Sequence, residues 1–114
     1  VIEVLVSLNW GFGLVVWPGM PDLRDQLRIA AAACRKRMLI RWMLHAGQTY
    51  ASAVDRYEPF HRLVDPDPQT RDTVARILLR AIQRGVDESY VIINNKAEGS
   101  SPRSVLALAQ RLAR

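Results

Sequence analysis

The chain has 114 residues, a formal net charge of +5 and a hydrophobic fraction of 49%. Its length fits one domain, and its hydrophobicity excludes an intrinsically disordered chain. A single cysteine, Cys34, excludes an internal disulfide framework and a cysteine-built zinc site, and fits a reducing, cytoplasmic setting.

The opening run from Val1 to Val16 is apolar but broken by Glu3, Ser7, Asn9, Gly11 and Gly13. No basic segment precedes it, so it does not read as a signal peptide. It is too short and too polar for a membrane span of about 20 residues. The run reads as one or two buried strands, with Val4–Val6 and Leu14–Trp17 as their apolar centres. A chain that opens inside a strand pattern is expected to be a fragment of a longer protein. Pro18-Gly19 ends the pattern. From Asp22 to about Arg35 the spacing predicts a helix, with Leu23, Leu27, Ala30, Ala31 and Cys34 on one face.

Met38–Leu44 is the next expected strand, ending at His45-Ala46-Gly47. Thr49 is placed to cap a helix carrying Tyr50, Ala53, Val54 and Tyr57, which Pro59 stops. Asp67-Pro68 then reads as cap and first residue of a long helix. Val74, Ile77, Leu78, Ala81 and Ile82 mark its apolar face, and Gly85 its end. Tyr90–Ile93 is a β-branched strand. Ser101-Pro102 opens a last helix by the same device as Asp67-Pro68, with Val105, Leu108, Ala109 and Leu112 as its expected buried stripe. Strands separated by helices argue an α/β fold with a parallel sheet. Such a sheet is either a small open one or the last units of a (β/α)₈ barrel, which needs about 250 residues when complete.

The stretch from Tyr90 to Ala109, YVIINNKAEGSSPRSVLALA, resembles the C-terminal signature of the YecE-like family, a domain of unknown function numbered seventy-two. Ile40–His45, Tyr50 and Tyr57-Glu58-Pro59-Phe60 are similar to the family's penultimate strand and the segment after it. Trp17–Pro21 is similar to an earlier strand end. The resemblance runs from about Trp10 onward and is most specific over Asn94–Pro102. It implies a TIM-like barrel, of which residues 1–114 are the C-terminal half as a single incomplete domain. It supplies a fold and not a reaction.

The leading candidate site is the loop leaving the last strand: Asn94, Asn95, Lys96, Glu98, Gly99, Ser100 and Ser101. The C-terminal edge of a parallel sheet is where ligands bind in such folds. Gly99 would let backbone approach a ligand, a helix start would offer N–H groups, and Lys96 would add a full positive charge. A small anion or sugar suits that chemistry. The bland alternative is that Ser101 caps a helix while the asparagines satisfy strand-end backbone. Arg41 and His45 are the candidate catalytic pair, a guanidinium expected to be buried where it interrupts an apolar strand and an imidazole suited to general-base work. Trp17 and Trp42 read mainly as packing residues, and secondarily as aromatic platforms.

Neither His45 nor His61 stands in metal-ligand spacing, so no metal site is expected, and no motif names a cofactor. The chain is basic, with a pI of about 10.1, and Arg76, Arg80 and Arg84 form a stripe. Nucleic acid therefore stays an alternative partner, although Asp72 can pair with Arg76 and the stripe reads mainly as a solvated face. A truncated domain without activity of its own is the third reading.

Overall fold

A computed structural model describes residues 2–8 and 11–114; Val1, Asn9 and Trp10, which belong to the apolar opening run, lie outside them. In chain order the elements are α1 (Ile2–Ser7), β1 (Gly13–Val16), α2 (Leu23–Ala30), a 3₁₀ turn (Ala31–Cys34), β2 (Arg37–Trp42), α3 (Tyr50–Tyr57), α4 (Pro68–Gln83), β3 (Glu88–Ile93), α5 (Asn95–Glu98) and α6 (Ser101–Leu112). The fold is α/β, with the three strands in one parallel sheet of order β1-β2-β3.

Local chemistry sets most of these boundaries. Thr49 Oγ1 accepts from Ser52 N while Ser52 Oγ accepts from Thr49 N, a reciprocal box that starts α3. Asp67 Oδ1 accepts from Thr70 N at 3.1 Å, and Pro68 occupies the first turn of α4 without a wasted donor. Gly85, at φ 77°, supplies the left-handed turn that leaves α4.

The register levels Val16, Trp42 and Ile93 across the sheet. Positions 17, 43 and 94 therefore leave the sheet together at its C-terminal edge. Alternation divides the strands between two faces. Leu14, Ile40, Trp42 and Ile93 lie in the core with Leu23 and Ala30 of α2, Val74 and Ile77 of α4, and Leu108 of α6. Each large side chain sealed here contributes about 1.5–3 kcal/mol. Leu39, Arg41, Tyr90 and Ile92 occupy the opposite face, where Tyr90 and Ile92 are half exposed. A second, smaller cluster joins Leu44, Ala53 and Tyr57, with Phe60 and Val64 against it.

Several expectations need correction. Val4–Val6 is helical, not a strand, and none of its residues is buried. There the backbone pairs within itself, as Leu8 N donates to Val4 O at 3.0 Å, while Ile2 reaches the core. The helix expected from Asp22 to Arg35 tightens into a 3₁₀ turn at Ala31, which is exposed. Ile82 is also exposed, leaving the α4 stripe to Val74, Ile77, Leu78 and Ala81. Ser100, not Ser101, is the N-cap of α6. The buried face of α6 is Ser104 and Leu108, while Val105 and Ala109 face outward.

One buried polar residue escaped the periodicity. Gln26 is 5% exposed on α2. Its Oε1 accepts from Val15 N at 2.9 Å, and its Nε2 donates to Val15 O and Pro21 O, each at 2.7 Å. Val16 O accepts from Met43 N, so Val16 faces β2 and Val15 faces the outer edge of the sheet. The Gln26 amide thus takes the place of a neighbouring strand at that one residue of β1.

Candidate functional site

The segment after β3 is not an open loop. Asn94 caps the single turn of α5, its Oδ1 accepting from Lys96 N at 2.9 Å. Glu98 closes that turn fully buried, with relative exposure 0%. Its Oε1 accepts from Ser104 Oγ at 2.7 Å, and its Oε2 accepts from Asp67 N at 2.8 Å and from the Arg71 guanidinium. The Glu98 carbonyl accepts from Val64 N at 2.9 Å and from Asp65 N at 3.1 Å. One residue therefore ties α5, the start of α4, α6 and the 64–67 segment together. A buried carboxylate is tolerable only with such complete pairing.

Gly99 does serve a close backbone approach, but toward its own chain. It has φ 125°, and a Cβ there would stand 2.6 Å from Arg62 O and 2.8 Å from Val64 N. Ser100 is buried. Asn95 Oδ1 accepts from Ser101 N at 2.7 Å. Pro102 has no N–H, and Ser104 N donates to Ser100 O at 2.9 Å. The start of α6 thus offers a ligand at most one amide, a correction to the expectation of several. Of the seven loop residues, Glu98, Gly99 and Ser100 are turned inward, and Asn95 and Ser101 bond each other.

Asn94 and Lys96 remain at the strand ends, both half-buried. Lys96 Nζ lies 3.4 Å from Asn94 Oδ1, 4.2 Å above the Tyr50 ring and 6.0 Å from the Phe60 ring. These are polar and cation–π contacts, and among the described residues no carboxylate pairs with the ammonium. His45 meets Lys96 through the backbone, His45 N donating to Lys96 O at 3.0 Å. His45 Nδ1 stands 2.9 Å from Ala46 O, a contact in which the ring nitrogen must be the donor. Arg41 lies on the uncovered sheet face, level with Val15 and Ile92. It is exposed and not buried as expected, and among the described residues it makes no ion pair.

Beside His45 a third group is firmly organised. Asp65 accepts from Arg56 Nε at 2.6 Å, from Arg56 Nη2 at 2.8 Å and from Tyr57 Oη at 2.8 Å. The Arg56 hydrogen bond, with help from Tyr57 and the nearby His45, holds the Asp65 carboxyl down at about 2. Burial, then the Asp65 contact, pushes the Tyr57 phenol well above its usual range. Neither group is poised to exchange protons near neutrality.

Trp42 is fully buried and cannot serve as a platform, whereas Trp17 is 43% exposed just past β1. Trp17 lines an open cleft of about 740 Å³ between the starts of α2 and α4, with Arg24, Gln69 and Thr73. That cleft lies on the helix side of the sheet and does not include His45 or Lys96. Among the described residues, no group of three His, Cys, Asp or Glu gathers to hold a metal ion, and no helix is long and apolar enough to cross a membrane.

No family model, curated protein or solved structure matches this chain.

Proposed function

We propose that the protein binds a small anionic or hydroxylated molecule at the C-terminal edge of its sheet, as the C-terminal part of a TIM-like barrel of the YecE-like kind. The observation that carries the binding proposal is Lys96. Its ammonium is held by Asn94 and the Tyr50 ring, and lacks a carboxylate among the described residues. Half-buried cations are normally compensated, and an anionic ligand would supply the missing charge. The site also stands where α/β folds bind their ligands. Lys96 is assigned to the anionic group, and Asn94 to orienting the lysine and any ligand hydroxyl. His45 and Arg41 remain the candidate catalytic groups, Arg41 one residue below the strand end.

The barrel part of the proposal is supported by the uncovered face of the sheet, because parallel sheets normally have both faces covered. It carries a structural condition as well. A further strand pairing with β1 must displace Gln26 from Val15.

Calorimetric titration with inorganic phosphate and glucose 6-phosphate tests the binding. Replacing Lys96 with Ala removes a charge-assisted contact of about 1.5–3 kcal/mol, so affinity is expected to fall roughly tenfold or more. Thermal stability should fall little, because the variant loses only a 3.4 Å contact with Asn94 and cation–π contacts with Tyr50 and Phe60, worth about 0.5–1 kcal/mol at exposed sites. Equal affinity in the variant would remove Lys96 from the site. Absence of binding by the parent protein would overturn the proposal.

A further inference from the structure

The basic stripe of α4 is not uniform. Arg76 is paired with Asp72, Nε to Oδ2 at 2.7 Å. Arg80 and Arg84 have no ion pair among the described residues, although they stand four residues apart, where like charges repel along a helix. They share the wall of a cleft of about 440 Å³ between α4 and the 3₁₀ turn, and Arg35 lines it from the other side. Its remaining lining is apolar and includes Cys34, Met38 and Ala81. No carboxylate lines the cleft. Elsewhere on the surface Arg28, Arg37, Arg56, Arg76 and Arg111 each have an acidic partner, and Arg24, Arg41, Arg62 and Arg103 have none among the described residues; what sets this cleft apart is that three unpaired arginines line it together.

We propose that this cleft binds an aliphatic carboxylate, its chain lying against Met38, Cys34 and Ala81 and its head group held by Arg80, Arg84 and Arg35. An apolar lining with a few convergent polar groups at its margin is the ordinary make-up of a small-molecule site, and the volume falls in the usual range of about 300–1,000 Å³. The charge pattern selects the ligand. Three uncompensated guanidinium groups favour an anion, and the apolar lining favours a hydrocarbon tail over a sugar or a free phosphate. This site is separate from the strand ends and does not depend on what binds there.

The test is a titration of the whole chain with decanoate, followed by the Met38 and Ala81 methyl signals, with decanol as the uncharged comparator. Saturable shifts are expected at both methyls, with decanol binding at least tenfold more weakly. The double variant Arg80→Ala, Arg84→Ala changes only exposed positions. It should weaken decanoate at least tenfold, leave decanol unchanged and melt like the parent. Ala31→Phe, at an exposed position lining the cleft, should block both ligands. Absence of saturable methyl shifts, or equal decanoate affinity in the double variant, would overturn the proposal.

Discussion

At the scale of single residues, the organising group is Glu98. Its carboxylate is sealed from water and satisfied by Arg71, Asp67 N and Ser104, which lie on two helices and their approaches. Removing one partner of a buried ion pair leaves the other charge stranded, at a cost of about 3–5 kcal/mol. Glu98→Ala should lose that much in urea unfolding, whereas a ligand-facing carboxylate would lose little stability. Asp65 makes a pH-dependent contribution. Its folded carboxyl titrates at about 2, below its ordinary value of 3.8. A depressed carboxyl stabilises the fold above the unfolded value and loses that contribution as pH falls toward the folded one. Stability should therefore drop between about pH 4 and pH 2, and Asp65→Asn should flatten that part of the profile. Melting temperatures of both proteins across this window check the sign.

At the scale of elements, the outer edge of β1 is guarded by a side chain. Gln26 satisfies both backbone groups of Val15 from α2, a device that blunts an edge otherwise open to another strand. Gln26→Leu leaves those groups unpaired, at about 1–3 kcal/mol for a buried donor or acceptor. The variant should unfold at lower urea and, by sedimentation, associate more than the parent. A variant that stays as stable and as monodisperse as the parent would deny Gln26 this role. Where the deciding interaction is local, the elements were legible in the sequence. Thr49 with Ser52, Asp67 with Pro68, and Gly85 each act within four residues, and each boundary fell where their chemistry places it. Val4–Val6 was not legible, because β-branched residues suit a strand and only the absence of a ladder partner sends them into a helix. Glu98 and Gly99 looked like ligand groups because their true partners lie 27 to 37 residues away at Arg71 and Arg62. No periodicity announces such a contact. Gln26 was hidden likewise, a polar residue whose burial depends on a strand edge eleven positions earlier.

At the scale of the whole molecule, a parallel sheet has one face under α2, α4 and α6 and one face bearing half-exposed Tyr90 and Ile92. Its three strand ends are level, bringing Trp17, Met43 and Asn94 to one edge with His45 and Lys96 beside them. Basic residues stand at that edge, on α4, at Arg35–Arg37 and on α6, so affinity for anions alone does not locate a site. Mapping does. In a phosphate titration followed by backbone amide shifts, the largest saturable changes are expected at His45 and Asn94–Ala97, and they should shrink in the Lys96→Ala protein. Shifts confined to Arg80–Arg84, with the strand ends unmoved, would contradict a ligand site at the C-terminal edge of the sheet.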